Sequence, residues 1–249
     1  MIRTLALALL MAAIAPAQWK THWTHEGATG VDHWGDLDPD YAACKTGKQQ
    51  SPIDIRNALK ADLPALQFEY RSGPLNYLIN NGYTIRVNYH DAPGTGNFLI
   101  AGTTRYQLTQ FHFHRPSEEY IDGKPYAMEV HLMHQSSDGK VAGVAVLLEA
   151  GAPNTTVQKI WDHMPKNEGA EQAIGGVEID AAGLLPHNAA YYTYMGSLTA
   201  PPCTEGVTWF VLKTPLTVSP AQIDEFAKLY PHDVRPLQPL NGRLVQEGR

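Results

Sequence analysis

The chain has 249 residues, of which 43% are hydrophobic and 18% are charged, and its formal net charge at pH 7 is −6. These values exclude a polytopic membrane protein and a disordered chain, and the acidic balance argues against a nucleic-acid partner, because phosphate binding needs a basic surface. The 21 glycines and 18 prolines favour a loop-rich, mostly β protein over a helical bundle.

The first seventeen residues have the pattern of a secretory signal peptide. Arg3 supplies a positive start, residues 5–15 are apolar, and Ala15 and Ala17 are the small residues that a signal peptidase reads. The apolar run is too short to cross a bilayer, which takes roughly 20 apolar residues. We therefore predict a signal peptide over residues 1–17, a mature domain over residues 18–249 with no membrane span, and a periplasmic or secreted location.

Strand signals dominate the middle of the mature chain, where apolar residues alternate or run together between turn residues. The predicted strands cover residues 75–79, 84–89, 98–101, 106–114, 126–135 and 141–148. Helical periodicity is limited to residues 155–164 and 220–229, and Ser219 and Pro220 suit the start of the second helix. Because the sequence has no linker and no repeat, we predict one α+β domain, mainly β, with a large sheet and short helices on its surface.

Histidines carry the main chemical signal. His112 and His114 are two residues apart in one predicted strand and therefore share a face, and His131 lies in the next strand. Residues 115–125 are long enough to turn the chain back, so that antiparallel pairing brings three imidazoles together. Zn²⁺ binds such nitrogen ligands and keeps a fourth position for water. His134 competes with His131 for the third place, and spacing alone does not choose between them.

Two polar residues accompany these histidines. Gln110 and Glu129 precede His112 and His131 by two residues and share their faces. A metal-binding histidine usually donates its other N–H to such an acceptor. The position of Glu129 therefore favours His131 as the third ligand.

The mature chain keeps two cysteines, Cys44 and Cys203. Two cysteines in an exported protein most often form a disulfide. They are too far apart in sequence for a Cys-x-x-Cys motif, so the sequence indicates neither a zinc finger nor a thiol redox site.

Several collinear motifs resemble the α-class carbonic anhydrases. The match runs from residue 22 to about residue 243, nearly the whole mature chain. It includes the segments QSPIDI (50–55), NNG (80–82), QFHFH (110–114), EVHLMH (129–134), YMGSLTAPP (194–202) and RPLQP (235–239). The resemblance implies a single domain on a twisted, mostly antiparallel sheet of about ten strands, with cis peptide bonds before Pro52 and Pro202.

The resemblance also implies roles for individual residues. The implied zinc ligands are His112, His114 and His131, with Gln110, Glu129 and the backbone carbonyl of Asp233 as their acceptors. Thr199 matches the threonine that accepts a hydrogen bond from zinc-bound hydroxide, and Glu118 matches the carboxylate that receives the threonine's own proton. The implied apolar wall for CO₂ contains Leu198, Val207 and Trp209, and Cys44 and Cys203 match the disulfide of exported members.

The implied activity is the reversible hydration of CO₂ to bicarbonate and a proton by attack of zinc-bound hydroxide, with weak hydrolysis of activated esters as a side activity. The alternative is a non-catalytic binding module on the same fold, although such members typically lose a zinc ligand. A homodimer, common among bacterial members, is one assembly that the resemblance allows.

The sequence departs from the family pattern at the proton shuttle and in the CO₂ pocket. Tyr83 stands where the fastest members have a histidine, and a phenol with a pKa of about 10 is poorly matched to proton relay near neutrality. His25 is a second candidate for this relay. Gly143 and Met133 both replace usual valines, and we expect the flexible Met133 side chain to compensate for the missing volume at Gly143.

Overall fold

The computed structural model describes residues 21–248, so the predicted signal peptide lies outside the described residues. Fifteen strands lie in the described part: β1 Asp54–Ile55, β2 Leu59–Lys60, β3 Gln67–Glu69, β4 Gly73–Pro74, β5 Leu78–Asn80, β6 Ile85–Asn88, β7 Phe98–Ala101, β8 Thr104–His114, β9 Tyr120–Ile121, β10 Met128–Ser136, β11 Val141–Ala150, β12 Glu178–Ile179, β13 Tyr191–Ser197, β14 Glu205–Val218 and β15 Gln246–Glu247. The helices are α1 Trp34–Leu37, α2 Ala43–Thr46, α3 Thr155–Trp161 and α4 Pro220–Ala227.

A large central sheet organises the described chain. Its strand order is β2-β15-β13-β14-β11-β10-β8-β6-β5, and β7 and β3 extend it from β8, which makes eleven strands within residues 21–248. The remaining strands form two small pairs, β1 with β9 and β12 with β4. The predicted single large sheet with short peripheral helices is confirmed.

The sheet is mixed. Strands β11 and β14 run parallel along most of their length, and β15 pairs parallel with β2. The other pairs of this sheet are antiparallel, including the pair of β8 with β10 that carries the candidate histidines. The expectation of a mostly antiparallel sheet is therefore confirmed, with a parallel pair at its centre.

Strands β8 and β10 separate two chemical environments. Phe111, Phe113, Val130 and Leu132 are fully buried in the main hydrophobic cluster on one side of the sheet. Full burial of such a side chain stabilises the fold by about 1.5–3 kcal/mol relative to exposure. Because side chains alternate along a strand, the histidines between these residues point to the other side. Burial of the apolar residues thus positions the polar ones.

Both predicted helices are present and end earlier than predicted. Helix α4 has the predicted N-cap, since the Ser219 side chain accepts from the amide of Gln222, whose side chain bonds back to Ser219. The Asn154 side chain caps α3 in a similar way through the amide of Val157. Helix α3 ends at Trp161 and α4 at Ala227, and turns continue the helical spacing beyond them. Among the described residues, no helix combines the length and the apolar composition needed to cross a membrane.

The segment before the sheet is tied to the loop between β13 and β14. A disulfide joins Cys44 in α2 to Cys203 across a sequence separation of 159 residues. The two cis peptide bonds that the resemblance implies, before Pro52 and before Pro202, are both present, and a third precedes Pro116. The N-terminal segment is therefore held against the rest of the domain by a covalent bond.

This disulfide predicts a measurable loss of stability when it is removed. The double substitution Cys44→Ala and Cys203→Ala should lower the free energy of unfolding by roughly 4–5 kcal/mol, because the unfolded chain gains the freedom of a long open loop. Urea unfolding followed by circular dichroism measures this change in the free energy of unfolding. Wild-type protein unfolded in reductant is the control and should show a similar loss; an unchanged midpoint in both would contradict the prediction.

Candidate metal centre

Antiparallel pairing of β8 with β10 places His112 directly opposite His131 and His114 opposite Glu129. The ring centroids of His112 and His114 are 4.8 Å apart, those of His114 and His131 4.8 Å, and those of His112 and His131 5.4 Å. One nitrogen of each ring lies within 4.8 Å of the others. The structure thus brings together the three histidines that the sequence analysis selects.

Hydrogen bonds fix which nitrogen of each ring faces the centre. The Nδ1 atom of His112 lies 2.8 Å from Gln110 Oε1, and Nδ1 of His114 lies 2.9 Å from the backbone oxygen of Asp233. Both rings therefore donate from Nδ1 and present Nε2 to the centre. These two acceptors are the ones that the sequence analysis names.

His131 is oriented in the opposite sense. Its Nε2 atom lies 3.4 Å from Glu119 Oε2 and 3.6 Å from Glu129 Oε1, so that Nδ1 faces the centre. Burial acts to lower the pKa of His131, but the two carboxyl groups outweigh it and raise the pKa well above its usual value. The carboxyl groups hold a proton on Nε2, and a metal ion bound at Nδ1 would have to displace the second proton of this ring, because only a deprotonated nitrogen binds a metal.

The three rings fit a zinc ion. Within residues 21–248, His114 Nε2 and His131 Nδ1 are buried and have no hydrogen-bond partner, although buried nitrogen atoms are normally satisfied. Burial lowers the pKa values of His112 and His114 well below the usual value, so both rings are neutral, the form that binds a metal. Three imidazole nitrogens with an open side match the donor set of a catalytic zinc site.

Glu119 is a site residue that the sequence analysis misses. Its Oε1 atom accepts a hydrogen bond of 2.8 Å from the Tyr194 hydroxyl, and its Oε2 atom faces His131. Glu129, which is predicted to be the partner of His131, also accepts from the backbone amides of Glu118 and Glu119 at 2.7 and 3.1 Å. Two buried carboxyl groups therefore share the task of orienting one ring. No periodicity marks Glu119, because it follows the strand and adjoins another glutamate.

Glu118 lies on the inner side of the same centre. Its Oε1 atom accepts from the Arg235 amide at 2.8 Å, and its Oε2 atom is 3.5 Å from His114 Nε2. Burial raises the pKa of the Glu118 carboxyl to about 7, while His131, the Arg235 amide and the Thr199 hydroxyl act to lower it. Thr199 is itself buried in the cavity wall. The structure thus brings Thr199 and Glu118 to the three histidines.

His134 is separated from this centre. A register shift interrupts the pairing of β8 with β10 between Met133 and His134. The buried His134 ring bonds through Nε2 to the Tyr70 hydroxyl at 2.7 Å. Of the two histidines that the sequence leaves as alternatives, the structure groups His131 with the other two.

A cavity of about 250 Å³ opens onto the three histidines. Of the predicted apolar wall, Leu198, Trp209 and Met133 line this cavity. Val207 is buried behind it, in one hydrophobic cluster with Trp209 and Met133. The Trp209 ring covers Gly143: a Cβ atom at Gly143 would lie only 2.5 Å from Cζ3 of the indole. Trp209, as well as Met133, therefore occupies the volume beside this glycine.

The mouth of the cavity contains the two candidates for proton relay. Tyr83 and His25 line the cavity, and the Tyr83 ring stacks on Trp23 with centroids 3.8 Å apart. The Tyr83 hydroxyl is 3.3 Å from Nδ1 of His22, an exposed residue that the sequence analysis does not consider. Tyr83 thus connects the cavity to a histidine at the surface.

A mostly β domain with three convergent histidines at the base of a cavity has the arrangement of a protein with a candidate metal site. The family model of eukaryotic-type carbonic anhydrases matches residues 29–249. The chain belongs to this family, and the expected resemblance is confirmed.

Individual relatives agree with this assignment. The chain is 46% identical to a carbonic anhydrase from Klebsiella pneumoniae, over 96% of this chain and 97% of the relative. It is 45% identical to a carbonic anhydrase from a Nostoc strain, over 94% and 89% of the two chains. Among solved structures, an α-carbonic anhydrase from Thermovibrio ammonificans, in complex with the inhibitor sulfanilamide, matches with a TM-score of 0.85 and 41% identity, over 91% of this chain and 99% of that chain.

The contact between Gly143 and Trp209 predicts the effect of restoring a valine. Gly143→Val should destabilise the fold by about 1–3 kcal/mol through overpacking and should not raise turnover, because the new side chain displaces the indole from the cavity wall. Thermal unfolding and CO₂ hydration measure the two effects. Gly169→Val is the control, since nothing lies within 4 Å of a Cβ at Gly169. A large gain in turnover for Gly143→Val would contradict the prediction.

Proposed function

We propose that this chain is a zinc-dependent carbonic anhydrase that catalyses the reversible hydration of CO₂ to bicarbonate and a proton. The observation that carries the proposal is the convergence of His112 Nε2, His114 Nε2 and His131 Nδ1 at the base of the cavity. Membership of the carbonic anhydrase family supports it. When bound, zinc acts as a Lewis acid that makes a water molecule acidic enough to lose a proton near neutral pH, a known property of carbonic anhydrases.

The acceptors around the rings hold each histidine in its ligand form. Gln110 and the Asp233 carbonyl keep protons on Nδ1 of their partners, and Glu119 and Glu129 keep one on Nε2 of His131. Such partners fix the tautomer and make each ring a better donor.

Thr199 and Glu118 select the group that enters the open side of the centre. Because Glu118 Oε1 is engaged by the Arg235 amide and Oε2 is buried without a hydrogen-bond partner among the described residues, Oε2 is the oxygen available to accept the Thr199 hydroxyl proton. The Thr199 oxygen then has only lone pairs to offer, so it favours a group that carries a hydrogen. This pair thus orients the nucleophile by hydrogen bonding alone.

CO₂ is held by the apolar side of the cavity. Leu198, Trp209 and Met133 present carbon surface next to the three rings, and neutral, weakly hydrated CO₂ loses little by leaving water there. Binding beside the nucleophile supplies proximity, a major source of rate enhancement.

The proton produced by hydration must leave the cavity, and we propose that it passes through Tyr83 to His22. Burial raises the pKa of Tyr83 further from neutrality, so we propose that the phenolate does not form. The neutral hydroxyl would accept one proton as it gives its own to His22. Burial, with the nearby charge of His232, lowers the pKa of His25 to about 4, which makes His25 a poor proton acceptor near neutrality. His22 is exposed and bonded to Tyr83, so a proton that reaches it can pass directly to solvent or buffer.

We also propose a location, a side activity and an assembly. The disulfide suits an exported protein and supports a periplasmic or secreted location, in line with the predicted signal peptide. Weak hydrolysis of activated esters would use the same nucleophile, and a homodimer is the proposed assembly if the chain is not a monomer. The non-catalytic alternative is not favoured, because all three histidines, Thr199 and Glu118 are present in one cavity.

The proposed function is tested by linking zinc content to CO₂ hydration. The wild-type protein should bind about one zinc per chain and release protons from CO₂, whereas metal-free protein should be inactive. His131→Ala should lose both zinc and activity, because the donor set is then incomplete. His134→Ala is the matched control from the same strand and should keep its zinc.

Metal analysis after dialysis and a stopped-flow pH-indicator assay give the two readouts, with circular dichroism to show that both variants are folded. Full zinc occupancy in folded His131→Ala would overturn the ligand assignment. A zinc-loaded wild type that hydrolyses activated esters without hydrating CO₂ would identify an esterase instead.

The exit route is tested by varying buffer concentration. His22→Ala should lower turnover in dilute buffer by at least about tenfold, and concentrated imidazole should restore it, because free imidazole replaces the missing group. His187→Ala, which changes another exposed histidine outside the cavity, should have no effect. Equal turnover of His22→Ala and wild type in dilute buffer would exclude this route.

A further inference from the structure

An arginine lines the cavity beside the metal centre and has no assigned role. Arg86 lies in β6, directly opposite His112 in the pairing of β6 with β8. Its side chain belongs to the cavity wall, with Gln110 and His112 as neighbours in that wall. Arg86 is therefore placed where it can contact whatever the cavity holds.

The Arg86 guanidinium has no partner in the part of the chain that the structure describes. Its Nε atom is buried without a hydrogen bond, and residues 21–248 contain no acidic group in an ion pair with it. Arg235 also has a buried Nε atom with no hydrogen bond to the described residues, but its terminal nitrogens donate to Gln50 Oε1 and to the backbone oxygens of Ser51 and Cys44. A guanidinium stays charged even when burial lowers its pKa, as it does here.

The nearby acids do not neutralise this charge by contact. Glu171 acts on Arg86 at a distance, while its carboxylate is engaged by Asn88 and His90. Glu118 faces the same cavity but is held by the Arg235 amide and lies against His114. A partly buried, unpaired cation is unfavourable. An anion that enters the cavity from solvent and binds the Arg86 guanidinium would relieve this cost.

We infer that Arg86 forms an anion-binding position in the cavity, suited to a small monovalent oxyanion such as bicarbonate. The planar guanidinium matches the two oxygens of a carboxylate-like group, and a cavity of about 250 Å³ admits a small ion. The identification of the natural anion as bicarbonate rests on the proposed function. Leu198 and Trp209 receive the neutral gas, whereas Arg86 holds the charged product.

Nitrate tests the inference, because it has the charge and planar shape of bicarbonate but is not turned over. Calorimetric titration at constant ionic strength should show that Arg86→Gln binds nitrate about fivefold more weakly than wild type in the zinc-loaded protein. Arg86→Lys should keep part of the affinity, since it keeps the charge and loses the planar fork. Arg71→Gln, which removes an exposed arginine outside the cavity, should bind nitrate as the wild type does.

The same titration of metal-free protein separates this inference from the proposed function. A nitrate affinity that depends on Arg86 in metal-free protein supports the anion position even if CO₂ hydration is absent. Equal nitrate affinity of Arg86→Gln and wild type, in folded proteins with and without zinc, would overturn the inference and leave the proposed function intact. If Arg86→Gln does not fold, weaker binding by Arg86→Lys supports the inference, and unchanged binding by Arg86→Lys overturns it.

Discussion

The site depends on the register between β8 and β10. Antiparallel pairing sets His112 opposite His131 and His114 opposite Glu129. These two pairs, which the pair of Phe113 with Val130 separates, supply all three imidazoles and one of their acceptors. A slip of one residue would turn every side chain of one strand to the other face. The fully buried apolar residues between the histidines make such a slip costly, since they would enter the cavity face. Core packing on one side of the sheet therefore sets the positions of the three imidazoles on the other.

The same register gathers buried acids around the histidines, which is unfavourable unless each carboxyl is satisfied. Glu118 is bonded by the Arg235 amide, Glu119 by the Tyr194 hydroxyl, and Glu129 by two backbone amides. Among the described residues, Glu118 Oε2 and Glu129 Oε1 are still buried without a hydrogen-bond partner. Burial and the neighbouring Glu119 raise the pKa of Glu129 to about 8. A divalent cation bound by the three imidazoles would place positive charge next to these acids. The acidic network and the candidate metal site are thus parts of one charge arrangement.

The sequence predicts the strands in which apolar residues alternate or run together. It misses the strands that form only because they pair with other strands. Residues 98–101 coincide with β7, and the predictions for β8, β10 and β11 end within two residues of the observed bounds. Strands β13 and β14 are not predicted, because Gly196, Gly206 and Pro215 interrupt their patterns, although tertiary pairing overrides these breaks. Two-residue strands such as β1 exist only through their partners. Local alternation therefore predicts the site-bearing strands but not their sheet neighbours.

Site residues on strands with a regular pattern could likewise be predicted from the sequence, whereas site residues in loops could not. The ligand face was predictable because the histidines alternate with phenylalanines, whereas Glu119 and His22 reach the site through loops that no periodicity describes. Arg86 lies between these cases: it alternates with Ile85 and Val87, both buried in the main core, so the strand pattern already places it on the face opposite to them. Only the structure shows that this face is the cavity wall and that the guanidinium there is unpaired. The role of a charged residue on the polar face of such a strand can therefore be inferred only once the structure shows which of its hydrogen-bonding groups lack a partner.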